Sequence, residues 1–275
     1  MEKIVINENL IQYRIIESMD RVTYYTSAFL YHENGKGVLI DSGYRRMGQF
    51  ILEDLQRSNV KLEYIIVTHY HKDHAEGSTV FSEIPIIASE AYSKTLERLK
   101  QVSDFVYETP KILVKDFISI TINTSKVEIF KTPGHTNCGL TVCINDVYLY
   151  ASDNLLEDID NKIIIPYLDL NADPVEHLEL LEKYKEIQYE VLLLTHGLVK
   201  KCPNKSLEID ERVFYLDQFI KSDYQAELSE CLLKDISNYS MTSIHKLNQR
   251  NARKKRVSSA NQNNWVKVCI TNKNW

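Results

Sequence analysis

The first forty residues fall into short apolar segments that are rich in β-branched and aromatic side chains. Such segments are typical of strands, and we place four of them at residues 3–6, 10–16, 22–31 and 37–40. The link ENGKG between the last two contains glycine and polar residues, which predicts a hairpin turn. The chain therefore begins as β-structure.

Strands and helices alternate in the middle of the chain. Apolar residues recur at helical spacing between positions 47 and 55 and again over 89–102, which predicts two helices. Between and after them lie apolar runs that predict strands at 64–67, 112–114, 118–122, 127–130, 140–144, 147–150 and 191–194. Asp173 precedes Pro174 and Glu176, a combination that marks the start of a further helix.

The last quarter of the chain differs in composition. Neither proline nor glycine occurs in the 72 residues after Pro203, which favours helix over turn-rich β-structure. We therefore predict a mixed α/β (α+β) fold with one domain over residues 1–203 and a helical C-terminal appendage over 204–275. Because no repeat or low-complexity linker marks the boundary, a single integrated domain is the alternative.

Composition narrows the choice of partners. The formal net charge is −5, so the chain has no overall attraction for phosphate, and nucleic acid is a disfavoured partner that is not excluded. The five cysteines form no CxxC pair, and no basic start leads into an apolar signal core, so we expect a cytoplasmic location. No apolar run approaches the roughly 20 residues that cross a bilayer. The oligomeric state stays open.

Histidines and aspartates cluster directly after the apolar run 64–67. The segment THYHKDH contains His69, His71, Asp73 and His74. In an extended segment His69 and His71 point to the same side and can bind one metal ion, while Asp73 and His74 lie where the chain turns and can serve a second. Imidazole suits zinc and similar metals, and carboxylate helps to offset the charge of two cations. A chance HxHxDH in such a chain is rare, on the order of one in a thousand.

The same context recurs at three other places. Strand-like runs end directly at His135, Asp153 and His196, as the run 64–67 ends before His69. Side chains at the ends of neighbouring strands converge on one edge of a sheet, where rigid elements hold them in position. The sequence therefore predicts one metal-binding site from seven residues.

In this order, HxHxDH, TPGHT, SD and THG resemble the motifs of the metallo-β-lactamase superfamily over roughly residues 20–200. The resemblance implies an αββα sandwich with two metal ions at one edge of its sheets. One ion would be bound by His69, His71 and His135, the other by Asp73, His74 and His196, with Asp153 bridging them. The segment GVLIDSG resembles the family's second strand, where Asp41 would hydrogen-bond to a metal-binding histidine.

Within the superfamily the pattern is most similar to the type II glyoxalase and thioesterase-like branches. We hypothesise hydrolysis of a thioester, ester or lactone in a small-molecule substrate by a hydroxide that bridges two divalent ions, with Asp73 as the catalytic residue that orients it and passes a proton. Zinc is the expected metal, with iron or manganese as alternatives. The residues after Gly197 match no glutathione-binding helices, so the substrate is not identified.

Three other functions stay open. A phosphodiesterase or ribonuclease of the same superfamily is favoured by the basic segment RNARKKR, although such runs are more often solvated tails. An iron-dependent oxidoreductase acting on persulfide or oxygen would use the same scaffold. A binding or regulatory protein that retains the metal site is the third. Tyr70 and Lys72 lie between the ligands and face either the substrate or away from it, while His32 and His177 are expected on the surface.

Overall fold

The computed structural model describes residues 1–99 and 106–254. The first of two large sheets has seven strands, which lie side by side in the order in which they occur along the chain. The first four strands pair antiparallel and the last three join in parallel. Its members are β1 (Glu2–Val5), β2 (Leu10–Met19), β3 (Val22–Glu33), β4 (Lys36–Ile40), β5 (Lys61–Ile66), β6 (Ile86–Ser89) and β7 (Ile112–Val114).

A second, six-stranded sheet has the order β14-β13-β11-β10-β9-β8. Its pairs are antiparallel except for β11 and β13, which run in parallel. Its strands are β8 (Phe117–Ile122), β9 (Ser125–Lys131), β10 (Leu140–Ile144), β11 (Tyr148–Tyr150), β13 (Val191–Leu193) and β14 (Lys200–Lys201). A separate parallel pair joins β12 (Ile163–Ile164) to β15 (Tyr239–Ser240).

Six α-helices accompany the sheets in the described part of the chain. They are α1 (Arg45–Ser58), α2 (Lys72–Ala75), α3 (Tyr92–Leu99), α4 (Pro174–Glu186), α5 (Lys205–Lys221) and α6 (residues 244–254). Asp173 caps α4 as predicted, since its side chain accepts a hydrogen bond from the N–H of Val175. None of the helices in residues 1–99 and 106–254 is both long and apolar enough to cross a membrane.

The core has three layers of apolar contacts. Between the sheets, Phe29, Ile40 and Ile66 meet Ile129 and Val142, and all five are fully buried. The outer face of the first sheet packs against α1 and α3, and that of the second packs against α4 and α5. Each sheet is thus covered by helices on one face and by the other sheet on the opposite face. This arrangement is the αββα sandwich that the family resemblance implied, and it confirms the mixed α/β (α+β) fold.

The segment after Pro203 adds a layer to the second sheet. Ile209, Tyr215 and Phe219 of α5 are fully buried and share one apolar cluster with Leu181 and Tyr184 of α4. Helix α5 begins after Asn204, whose side chain accepts a hydrogen bond from the N–H of Leu207. The described residues of this segment are largely helical, as expected, and they pack on the sandwich over an extended surface. A domain boundary at residue 203 stays a prediction.

Candidate metal centre

The site lies where strands of both sheets end. The turn after β5 positions His69 and His71, and α2 positions Asp73 and His74. Loops that follow β9, β11 and β13 position the remaining residues, His135, Asp153 and His196. Strands β11 and β13 are parallel neighbours, so the segments that follow them leave the sheet at the same edge. The fold therefore brings together all seven residues that the sequence singled out.

Two sets of donor atoms form within this site. The first contains His69, His71, His135 and Asp153, and the second contains Asp73, His74 and His196, with the atoms of each set within 4.8 Å of one another. This grouping agrees with the ligand sets that the resemblance implied, including the division of the HxHxDH segment between two groups. Their assignment as metal ligands is a proposal, to which we return below.

Asp153 occupies the centre of the cluster. Its Oδ1 lies 3.2 Å from Nε2 of His74, and its Oδ2 lies 3.6 Å from Nε2 of both His135 and His196. Asp73 is at the opposite side of the second set, with Oδ2 3.3 Å from Nε2 of His196. One carboxylate thus faces histidines of both sets, as a bridging ligand must.

The cluster has unsatisfied polar atoms that fit bound cations. Nε2 of His69, Nε2 of His74 and Oδ1 of Asp153 are buried and make no hydrogen bond of good geometry within the described residues, although the last two atoms lie 3.2 Å apart. A buried polar atom without a partner costs about 1–3 kcal/mol, so three in one cluster call for a ligand that takes their lone pairs. Imidazole nitrogens and carboxylate oxygens are suitable donors for divalent metal ions such as zinc.

In four histidines of the cluster, the second ring nitrogen, Nδ1, contacts a residue of the surrounding fold. These are His69, His74, His135 and His196. Nδ1 of His135 donates to the carbonyl of Tyr167 at 2.9 Å, and Nδ1 of His196 donates to that of Tyr25 at 2.6 Å. Nδ1 of His69 lies 3.2 Å from a serine hydroxyl, that of Ser152. Such bonds keep a proton on Nδ1, so Nε2 is the ring atom that can bind a metal ion once it carries no proton.

Asp41 holds the fourth histidine and links it to both sheets. Its buried carboxylate accepts hydrogen bonds from Nδ1 of His74 at 2.7 Å, the hydroxyl of Tyr150 at 2.6 Å, and the N–H and hydroxyl of Thr68. Tyr150 lies in the second sheet and also contacts the hydroxyl of Thr195, the residue before His196. The expected role of Asp41 as a support for a histidine therefore matches its geometry.

His71 is oriented differently, by residues that the sequence reasoning missed. Its Nδ1 faces Nε2 of His135 at 3.1 Å, while its Nε2 lies 3.6 Å from Oδ2 of Asp169. Asp169 is buried and forms an ion pair with Arg98 of α3. Neither residue belongs to a sequence motif, and each is far from His71 along the chain. No signal in the sequence indicates this arrangement.

Burial and neighbouring charges shift the pKa values in the cluster in opposite directions. Burial lowers the pKa of His135 to about 4, so this imidazole is neutral. Burial also acts to lower the pKa of His196, but the carboxylates of Asp153 and Asp73 outweigh it and raise the value to about 10. Burial disfavours charge on Asp153, yet His74 and His196 hold its pKa well below the usual range.

Two residues between the ligands face away from them. Tyr70 is buried, and its hydroxyl donates to the carbonyl of Glu108 at 3.1 Å. Lys72 is exposed and pairs with Glu76 one turn further along the chain. Of the two alternatives for Tyr70 and Lys72, the structure therefore favours the one in which both side chains face away from the donor cluster.

The prediction of a surface position for His177 is wrong. It is fully buried in α4, and burial lowers its pKa to about 3, so its ring is neutral. Its spacing to Leu180, Leu181 and Tyr184 places it on the apolar face of the helix. The prediction gave more weight to the acidic residues near it in the sequence than to this spacing. His32, also expected on the surface, is half-buried near the end of β3.

A two-sheet sandwich with a buried cluster of histidine and aspartate donors at its edge defines a metal-dependent hydrolase. Comparison with known families agrees, because residues 21–196 match the model of the metallo-beta-lactamase superfamily. The chain belongs to the metallo-beta-lactamase superfamily. The resemblance seen in the sequence motifs is thereby confirmed.

The curated relatives that match this chain are distant in sequence. A probable metallo-hydrolase of Methanocaldococcus jannaschii is 25% identical over 170 residues, which cover 60% of this chain and 73% of the relative. A beta-lactamase-like protein 2 homolog of Drosophila melanogaster is 23% identical over 66% of this chain and 62% of its own length. A hydroxyacylglutathione hydrolase of Buchnera aphidicola is 26% identical over 52% of this chain and 54% of its own. The last two matches span less than two thirds of each relative.

Solved structures share the fold. A metallo-beta-lactamase from Pontibacter korlensis superposes with a TM-score of 0.66 over 78% of this chain and 98% of the other, at 14% sequence identity. At this identity the similarity establishes the architecture alone.

Proposed function

We propose that this protein binds two divalent metal ions, with zinc the best fit, and hydrolyses a thioester, ester or lactone. The observation that carries the proposal is the buried donor cluster, in which two sets of histidine and aspartate atoms meet at Asp153 and three of the atoms make no hydrogen bond within the described residues. His69, His71, His135 and Asp153 would hold one ion, and Asp73, His74, His196 and Asp153 the other.

When bound, divalent ions supply Lewis acidity and lower the pKa of water towards neutrality. The chain's own contribution is to orient the reactants. The side chain of Asp73 is 21% exposed, against 7% for Asp153, so Asp73 is the more accessible carboxylate of the two. A carboxylate at this position can accept a hydrogen bond from the attacking water and take up its proton. Asp73 is therefore the proposed catalytic residue.

The relatives support a carbonyl substrate. Several of them are hydroxyacylglutathione hydrolases, whose name describes cleavage of a thioester of glutathione. Thioesters, esters and lactones share an electrophilic carbonyl and a leaving group that departs as thiolate or alkoxide, so one site can act on all three. A small-molecule substrate is consistent with the hydrolase family.

The test is a hydrolysis panel that compares metal-loaded wild type with Asp73→Asn. The panel contains a thioester, a lactone, a carboxylic ester and bis-nitrophenyl phosphate. We expect turnover of at least one carbonyl substrate, and a decrease of about 10²–10⁴-fold in kcat for the variant, the usual contribution of a positioned acid–base group. Turnover of the phosphate diester alone would contradict the proposal.

A phosphodiesterase is the second candidate, and one surface feature favours it. An open groove of about 1210 Å³ is lined by four basic residues, Lys246, Arg250, Arg253 and Lys254, and by Glu227, and three of the four belong to the described part of the segment RNARKKR. No ion pair joins Lys246 or Arg250 to an acidic residue within residues 1–99 and 106–254. The same panel decides between the two candidates, and an Arg250→Ala variant would lose diester cleavage only if this groove binds the substrate.

We also infer a cytoplasmic location. Cys138, Cys143 and Cys231 are buried as free thiols, Cys202 is free and exposed, and no disulfide forms among these four. Free thiols are typical of reducing compartments. Fractionation of cells that express the protein, with detection of the free thiols by alkylation, tests this inference.

A further inference from the structure

The pocket over the donor cluster has an apolar wall to which the C-terminal segment contributes. Five residues of the cluster line it, namely His71, Asp73, His135, Asp153 and His196. The other lining residues are mostly apolar, namely Met19, Tyr24, Leu156, Ile164, Tyr167, Met241 and Ile244. We infer that this pocket selects a compact, uncharged, apolar acyl group, and that Met241 and Ile244 set its size. The inference rests on the proposed function and specifies its substrate class.

The side chains that form the wall are anchored in the fold. Leu156, Ile164 and Met241 make one small apolar cluster and are 6%, 3% and 7% exposed. Strand β15 pairs in parallel with β12, aligning Ser240 with Ile164 and so placing Met241 directly beyond the end of the pair. The C-terminal segment is therefore a fixed part of the wall.

Helix α6 is fastened to the same side of the site. The side chain of Asn248 accepts a hydrogen bond from the N–H of Leu168 at 2.9 Å and donates one to the carbonyl of Pro166 at 2.7 Å. Asn251 donates to the carbonyl of Leu168 at 2.8 Å. Because the carbonyl of Tyr167 accepts from His135, these bonds connect Ile244, at the start of α6, to the position of the donor cluster.

The lining excludes a charged substituent. No lysine or arginine lines the pocket among the described residues, and its charged side chains belong to the proposed metal ligands. Burial raises the pKa of both Tyr24 and Tyr167 to about 12, so their hydroxyls stay neutral at physiological pH. A carboxylate or phosphate at the far end of the acyl group, against Met241 and Ile244 and away from the metal ions, would lose its hydration without gaining a counter-ion, which is costly.

The volume limits the acyl group. The pocket measures about 170 Å³, similar to the roughly 150 Å³ of an apolar cavity that admits benzene. Because metal ions and the reacting carbonyl take part of this space, an acyl group of about four to six carbon atoms fills the rest. Longer chains would collide with Met241 and Ile244.

The first experiment measures kcat/KM for acyl thioesters of one leaving thiol, with straight acyl chains of two to twelve carbons. For the wild type we expect an increase of about fourfold per methylene up to a maximum near five carbons, then a decline. Met241→Ala and Ile244→Ala should move the maximum to chains at least two carbons longer, and Ile244→Phe should move it to shorter ones. Ile236→Ala is the matched control, because Ile236 lies in the same segment and is 54% exposed.

Two further measurements separate this inference from the proposed function. Binding of straight-chain carboxylates, the expected products, should show the same chain-length maximum by calorimetry on metal-loaded protein, even if no ester is turned over. Thermal unfolding verifies that each variant is folded. The inference is overturned if folded Met241→Ala and Ile244→Phe variants retain the wild-type chain-length profile in both assays, or if the wild type shows no chain-length maximum in either.

Discussion

Replacing Asp41 with asparagine removes one negative charge from the support of the metal centre while preserving shape. Asp41 has a positive φ of 55°, a conformation that asparagine tolerates well, so the backbone is not strained by the change. The carboxylate accepts four hydrogen bonds, one of them from Nδ1 of His74. An amide can serve the N–H of Thr68 through its oxygen, but its NH₂ then faces the other three donors.

Two of those three donors have alternatives nearby, and His74 does not. The hydroxyl of Thr68 lies 2.8 Å from that of Ser152, and the hydroxyl of Tyr150 lies 2.6 Å from that of Thr195. Nδ1 of His74 can avoid the NH₂ group only by giving up its proton, which then resides on Nε2, the atom that faces Asp153. Metal binding must displace that proton, and loss of such a support typically costs 10–100-fold in affinity.

We therefore expect Asp41→Asn to raise the dissociation constant of zinc by 10–100-fold, about 1.4–2.8 kcal/mol. Competition with a chromophoric chelator measures this constant directly. Asp54→Asn is the control, since Asp54 is a buried carboxylate whose partners are Lys3 and Tyr13, outside the donor cluster. A dissociation constant for Asp41→Asn within twofold of the Asp54→Asn value would refute the reasoning.

Three further predictions concern pH, the metal ligands and a glycine. In metal-free protein the pKa of His196 is raised from 6.5 to about 10, so its contribution to stability is full below about pH 6.5 and is lost as pH rises through 10. Urea unfolding of chelator-treated protein should show this decline, and constant stability would contradict it. Calorimetry at pH 7 in buffers of different ionisation enthalpy should show proton release on zinc binding; proton uptake would be inconsistent with a charged His196. Gly134→Ala should destabilise the fold by about 1–3 kcal/mol and weaken zinc binding. The added carbon would lie 2.5 Å from Oδ1 of Asn154, and this oxygen accepts a hydrogen bond from the N–H of His135. Thermal unfolding and chelator competition test this, and wild-type values in both would count against it.

Much of the candidate site could be predicted because its residues come in local patterns. His69, His71, Asp73 and His74 lie within six positions, and each remaining residue follows an apolar run that forms a strand. Since strand ends of a sheet converge on an edge, a one-dimensional pattern was sufficient to predict a three-dimensional cluster. The alternation of strands and helices predicted a mixed α/β fold, and the αββα order came from the resemblance to the metallo-β-lactamase superfamily.

What the sequence could not indicate depends on contacts between distant segments. Asp169 lies near His71 and pairs with Arg98 only because α3 and the loop before α4 come together from opposite layers. His177 is buried because its face of α4 packs on the second sheet, although four acidic residues surround it in the helix. The apolar wall of the pocket likewise requires Met241, a residue of the C-terminal segment, to be adjacent to Ile164.

The central claim is that this cluster holds two metal ions. Its most direct test is the metal content, by mass spectrometry, of wild type and Asp153→Ala purified without added metal. The account predicts about two equivalents of a divalent metal per wild-type chain and a clear loss in the variant, because Asp153 faces histidines of both sets. Wild-type protein that is folded and binds no metal, even when zinc is supplied, would contradict it.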